Sequence, residues 1–450
     1  MSRPYLSLRV LPARCTALLL GPLYALPLLA QDTIPALDEG VLGIVDTVIV
    51  TGNEKTKEYV ILDEMTLKAG APVTVEAIEF DRKRIYSLGL FTSVDIVFDT
   101  LGTQKKLLVD VREQWYMIPF PILGFRDGDP KKPYYGAGLL HNNFRGRNQK
   151  VYGTVVMGHD PSFAFEFVDP LWDRANALYI AAGGSYSRVL NRSVLEANLT
   201  GDFDEYHVDA HGTLGKRLSL FETAGVNLGA HSVKVQVYRQ GRTASPEGHD
   251  IYLYATASYT YDSRDLREYA TRGMFLSGAV TKYGLGEGAV DFSKVSADVR
   301  LYIPLTNSLS LATRAFSGIV SGTTIPTYAH AYFGSYERLR GYYQTVWEGE
   351  NLAGGTVELR QELIDTRTFT VSFLPLPQQF TVWRFGASLA LFTDTGAAWY
   401  RHDRVTLNSF VAGYGVGIHF LLPYTFVMRT EFAWNDLGKR QFIIDLRTSI

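Results

Sequence analysis

Cysteine is all but missing from this chain. The one residue, Cys15, lies in an N-terminal stretch that reads as a cleaved leader. The mature protein then has no disulfide and no thiol chemistry. Long apolar runs are missing too. Beyond Ala30 no stretch of about eighteen apolar residues occurs, which excludes a membrane-spanning helix there. No basic surplus is present. Loss of Arg3, Arg9 and Arg14 with the leader takes 44 basic residues to 41 against 46 acidic ones, and no nucleic-acid partner is expected. A GxSxG elbow is absent, and the histidines stand singly without metal-ligand spacing. The Gly-rich stretch 283–288 is a turn, and GYGVG at 413–417 sits inside an alternating strand, where glycine relieves crowding on a curved wall. No enzyme, cofactor or metal is expected.

What is present is tyrosine, phenylalanine and glycine. Aromatic residues make up 13% of the chain and glycines number 41, a composition suited to strands and tight turns. Residues 1–30 have a basic start and an apolar core broken by Pro22 and Pro27, the pattern of a secretory signal. Residues 31–40 are a linker. Residues 41–115 predict a small α+β unit of order βααββ: a strand at 45–52, helices at 57–67 and 75–88, and strands at 93–100 and 105–115 about a turn at 101–103.

From residue 116 to 450 helical periodicity gives way to alternation. Val208, Ala210 and Leu214 alternate with Asp209, His211 and Thr213, and Val295, Ala297 and Val299 with Ser296, Asp298 and Arg300. Strands with one apolar and one strongly polar face fit either a soluble sandwich or an outer-membrane barrel. Their length favours the barrel, as do the aromatics near their ends, such as Trp172, Trp399 and Trp434. Sixteen antiparallel strands are predicted, the first at 133–141, the fifth at 193–204 and the last at 441–450. An even count puts both ends of the barrel on the periplasmic side with the small unit. The long segment 320–349, between the eleventh and twelfth strands, is then an extracellular-side loop.

That loop carries LRGY at 339–342. If it folds into a lumen of this width, Arg340 needs a carboxylate. Glu358, in VELR, and Asp394, in LFTDTGAAW, both have the parity of inward positions. Spacing alone leaves open an Arg340 in solvent and an Asp394 that is an ordinary turn residue.

Residues 41–115 resemble a POTRA (polypeptide-transport-associated) domain, through Gly52, Gly70, Asp81, RIYSLGLFTSVDI and LLVDVRE. The remainder resembles the barrel of the BamA/TamA outer-membrane assembly superfamily, the bacterial surface antigen barrels. The pieces that carry this are HNNFRGRNQ, FEFVDPLWD, TRGMFLSGAV, LRGY, ENLAGGTVELR, LFTDTGAAW and GYGVGIHFLLPY with RTEFAW. The resemblance implies that Arg340, with Gly341 and Tyr342, packs inside the barrel against Asp394 and near Glu358 as a loop latch. It implies that the POTRA domain receives unfolded polypeptide clients by strand addition, and that the seam between first and last strands opens sideways. It further implies outer-membrane lipid as surroundings and periplasmic accessory proteins as partners. The chain departs from the family in having one POTRA domain, in ending at Ile450 rather than an aromatic, and in continuing ELR with QEL. Three functions fit: an insertase of outer-membrane proteins without chemical catalysis, a two-partner-secretion-like exporter of one polypeptide, and a passive porin-like barrel. The latch and POTRA residues speak against the third.

Overall fold

The structure is a computed structural model. It describes residues 40–446 apart from 101–103, 127–130, 192, 194–195, 197–200, 202, 287, 335–336, 344 and 372–380. The leader, most of the linker, the 101–103 turn and Ile450 lie outside the described residues.

The small unit begins with β1 (Gly43–Ile44), β2 (Thr47–Thr51), α1 (Glu58–Leu62) and β3 (Pro72–Val73). It continues with α2 (Val75–Tyr86), β4 (Phe91–Asp99) and β5 (Lys106–Glu113). The helix expected over 57–67 is shorter than the pattern suggests. The chain after Leu62 turns back on itself and is held there by Asp81 of α2, which accepts from Thr66 N (2.8 Å), Thr66 Oγ1 (2.8 Å) and Leu67 N (2.9 Å). Burial pushes the Asp81 carboxyl above the usual range, and these three donors pull the other way. Thr74 caps α2 through the Ala77 N–H, and Gly89 takes a positive φ beyond its end. The three-stranded sheet runs β2–β5–β4, with β2 parallel and β4 antiparallel to β5. β4 is therefore an edge and β5 is central.

The remainder is one antiparallel sheet of sixteen strands. It comprises β6 (Met117–Phe125), β7 (Pro133–Phe144), β8 (Gln149–Gly158), β9 (Ser162–Asp173) and β10 (Leu178–Leu190). Next come β11 (Asp204–Arg217), β12 (Glu222–Val235), β13 (His249–Asp262), β14 (Gly273–Tyr283), β15 (Phe292–Pro304) and β16 (Leu309–Gly322). A loop holding the short hairpin β17 (Ala331–Phe333) and β18 (Trp347–Gly349) follows. The sheet ends with β19 (Asn351–Thr370), β20 (Val382–Trp399), β21 (Val411–Leu421), β22 (Val427–Asn435) and β23 (Arg440–Leu446). Neighbours pair in sequence order, with β16 beside β19. Among the described residues no ladder joins β6 to β23.

The count of sixteen agrees with the sequence reading through two compensating differences. β6 is a strand that the pattern did not offer, because Pro119 and Pro121 interrupt it. Proline cannot donate to a ladder, and β6 tolerates both because it is the first strand and an edge. Conversely, the described residues of 193–204 form no strand before Asp204; Glu196 there is helical. β10 pairs directly with β11, so no strand of the sheet lies between them.

The alternation now has a direction. Val208, Leu214, Val226, Leu228, Leu253 and Phe432 are exposed on the outer face, while His207, Asp209 and His211 face inward. An outer apolar and inner polar surface is that of a barrel in lipid. No described helix is long and apolar enough to cross a membrane; the strands cross. The small unit sits at the end of the barrel where β6 begins. Its apolar core, with Ile85, Leu88 and Phe91, is continuous with Leu266, Tyr269, Leu421 and Val427 of the barrel. Thr56 Oγ1 accepts from Asn143 Nδ2 (2.8 Å), and Lys83 pairs with Asp265 (3.0 Å).

Strand parity puts 400–410 and the β17–β18 loop at the far end from the small unit. In a background lacking Cys15, Glu54→Cys is expected to react with an impermeant maleimide only after the outer membrane is opened. Thr406→Cys is expected to react in intact cells. Labelling of both from the same side would overturn the strand count. Glu54 and Thr406 are both exposed, so the reagent can reach them.

Candidate loop latch inside the barrel

Between β16 and β19 the chain turns into the lumen. Phe333, Leu339 and Tyr342 bury themselves against Phe316, Trp347, Ala398 and Val411, which seats the loop on the wall. Glu337 is gripped by Arg314 of β16 at 2.9 and 3.0 Å, and Arg314 also holds Asp298 at 2.7 Å. At the tip, Gly341 adopts φ +94°, a left-handed turn that favours glycine. A Cβ there would lie 2.6 Å from the Trp434 carbonyl oxygen.

This turn delivers Arg340 to three carboxylates. Its Nε donates to Asp394 Oδ2 (2.8 Å) and its Nη2 to Asp394 Oδ1 (2.7 Å), a two-pronged fork, and its own backbone N–H also reaches Asp394 Oδ2 (3.1 Å). Nη1 donates to Glu358 Oε2 (2.6 Å) and to Glu431 Oε1 (2.9 Å). The guanidinium stacks 3.6 Å over the Phe392 ring. Glu358 is fully buried and shares its second oxygen with Arg360 Nε (2.7 Å). Arg360 in turn donates to the Ala270 carbonyl (3.0 Å) and lies over Tyr269. His419, also fully buried, bridges the Tyr269 hydroxyl (3.1 Å) and Glu431 Oε1 (3.1 Å).

Every residue picked out in the sequence as a loop site meets here. Arg340, Glu358 and Asp394 are in direct contact. Gly341 makes the turn and accepts from Asn435 Nδ2 (3.1 Å), and the Tyr342 hydroxyl donates to Asp436. Sequence reasoning missed Glu431, His419 and Phe392. Glu431 had a signal, being the single acid of RTEFAW with Phe432 outward beside it. The GYGVG glycines also have a more specific reason than a curved wall. A Cβ on Gly413 would sit 1.8 Å from the Arg340 carbonyl oxygen, so this strand is bare where the loop crosses it.

Glu358, Glu431 and His419 lie close enough to share a divalent ion. Each carboxylate already carries a guanidinium, and the cluster reads as an ion-pair network. The histidines are less scattered than the sequence implies: His207 and His231 face each other with ring centroids 5.5 Å apart, next to Tyr328 of the loop.

A POTRA-like unit on a sixteen-stranded barrel, with a loop pinned inside by an arginine, defines a class of outer-membrane protein. The Omp85 superfamily domain matches residues 143–445, and the POTRA surface antigen repeat matches residues 44–114. The chain belongs to the Omp85 superfamily: an outer-membrane barrel with its POTRA domain in the periplasm. It is 24% identical over 319 residues to the outer membrane protein assembly factor BamA of Nitratidesulfovibrio vulgaris, a match covering 66% of this chain and 37% of that protein. The chain thus spans little more than a third of that relative's length. Among solved structures, BamA of Haemophilus ducreyi lacking POTRA domains 1–3 is similar at TM-score 0.52 and 14% identity, over 91% of this chain and 84% of the other. CdiB of Escherichia coli is similar at TM-score 0.54 and 13% identity, over 90% and 74%. Both show likeness of fold.

Truncating either partner of the fork strands a buried charge, at a cost of about 3–5 kcal/mol. Arg340→Ala and Asp394→Ala should each leave the barrel inserted but open the loop to protease. The double variant should be little worse than either alone, because both remove one contact. Arg340→Lys should restore protection only in part, since an ammonium cannot fork across several acids. Additive damage would show that the two residues are not partners. Gly413→Val should reproduce the loop release with every charge intact, read by the same proteolysis.

Proposed function

We propose that this protein assists the folding and insertion of other outer-membrane proteins, with no bond made or broken and no nucleotide used. The observation that carries the reading is the reach of the loop. Its tip touches β19 through Glu358, β20 through Asp394, β21 at Gly413, β22 through Glu431 and β23 through Gln441, whose Oε1 accepts from Tyr343 N (2.9 Å). A plug held this way stiffens the C-terminal wall from inside. The strand edge at the end of that wall then keeps a defined shape on which a client hairpin can pair. The energy comes from the client, whose apolar faces enter lipid and whose backbone groups become paired. We take 41–115 as the periplasmic receiving unit and 116–450 as the inserting unit.

Export of a single polypeptide through the lumen is the other reading, and the fold likeness to CdiB is compatible with it. It requires the loop to leave, and five buried or nearly buried charged groups oppose that: Arg340, Arg360, Glu358, Asp394 and Glu431.

The test is reconstitution. Vesicles carrying the protein should speed insertion of a urea-unfolded outer-membrane barrel by tenfold or more, a gain of about 1.4 kcal/mol in the barrier. Vesicles carrying Arg340→Ala should lose most of it. In cells, depletion should lower many outer-membrane proteins together. Loss of one secreted protein alone, with no effect on insertion, would overturn the proposal.

A further inference from the structure

Strands β19 and β20 outrun the wall they belong to. They hold 20 and 18 residues, where a tilted strand crosses a bilayer in about 9–11. On one side, β16 stops pairing at Leu309 with Gln361, and the last bond is Glu362 N to Ser308 O (2.8 Å). On the other, β21 stops pairing at Gly386 with Leu421. The rest of the hairpin, 363–370 with 382–385, projects from the periplasmic rim.

This projection has a bare edge. Residue Val371 donates to Thr381 O (2.7 Å), so the alternation of an antiparallel ladder turns Arg367 and Phe369 toward β20. The N–H and C=O of Thr368 and Thr370 then point away from β20, into the row that β16 has left. At its near end the Thr366 N–H is taken by Glu362 Oε1 (3.3 Å); beside Thr368 and Thr370 no described strand pairs with that row. Leu363, Ile364 and Phe369 on this projection are 55%, 48% and 47% exposed. Asp365 and Arg367 on the same strand blunt pairing between two copies.

The cavity beside this edge is shared with a second edge strand. β4 is the outer strand of the small sheet. Ser93, Val94 and Asp95 of β4 line the same cavity as Thr366, Thr368 and Thr370 of β19. That cavity measures about 570 Å³ and runs up to Arg360 beneath the latch.

We propose that residues 363–370 form a docking edge for an extended segment of unfolded polypeptide, which lies in the cavity between this edge and β4. A row of alternating backbone donors and acceptors is complemented by another extended backbone; a lipid tail offers neither. The segment would continue the line of β16, so a strand bound here is already aligned with the barrel wall. The identity of that polypeptide as an outer-membrane client rests on the insertase reading; the edge itself does not.

The test uses the full-length protein in lipid vesicles and a urea-unfolded eight-stranded outer-membrane barrel as probe. A photocrosslinking residue at Thr368, or separately at Ser93, should capture the same segment of the probe. Thr368→Pro removes an outward N–H and spares the ladder to β20. It should lower capture at Ser93 by about fivefold, the worth of one hydrogen bond, and Thr368→Val should not. Thr370→Pro repeats the test at the next outward position if the first variant does not fold. Capture at Ser93 that both proline variants leave unchanged, with no adduct at Thr368, overturns the docking edge even if insertion proceeds. Capture at both positions by a protein that accelerates no insertion keeps the edge and overturns the insertase reading.

Discussion

An arginine side chain cannot shed its charge, so a buried one dictates what surrounds it. Arg340 is 7% exposed and sits among Asp394, Glu358 and Glu431, each less exposed still. These acids come from three different strands. Taken without the arginine they would be three like charges in a confined space, and the wall that carries them would be under strain. With it, loop and wall are each the condition for the other. The second cation, Arg360, matters for the same reason: it takes the Glu358 oxygen that Arg340 leaves, so both oxygens of that carboxylate are engaged by guanidinium groups.

The barrel inverts the usual arrangement of a soluble protein. Its apolar residues face out and its polar residues are packed in the middle. A polar middle is stable only if its groups find one another, and they do so in local sets. Arg314 joins Asp298 to the loop through Glu337, His211 lies between Asp209 and Glu166, and Glu350 of the loop holds Arg401. Filled in this way, the interior behaves as a polar core with a loop threaded into it.

Much of this was legible in the sequence because β-strands report their own orientation. Alternation tells which residues share a face, and Glu358 and the lone acid Asp394 therefore declared themselves as inward. The meeting of Arg340 with both could be anticipated once the loop was taken to fold inside. Glu431 was harder, because a single acid in a nine-residue strand has no partner visible in sequence; its partner is 91 residues away. His419 and Phe392 look like ordinary wall residues until the loop arrives. β6 was hidden by its prolines, which only the edge position excuses. The stretch 193–204 alternates as a strand does, yet β10 pairs directly with β11 and leaves it no place in the sheet. Nothing in local pattern announces that β19 and β20 exceed their neighbours, since strand length there is set by where β16 and β21 stop.

The way the POTRA domain is seated has a consequence for the order of assembly. Its apolar core runs on into the barrel. Leu266 and Tyr269 lie between β13 and β14, Leu421 ends β21 and Val427 opens β22, and all four complete the same buried cluster as Ile85, Leu88 and Phe91. These four come from distant parts of the chain and are brought together only when the wall is formed. The joint between domain and barrel is thus completed only with the wall. Until then the apolar face that these four residues cover is turned toward water, and the finished protein hides it at the joint between its two parts.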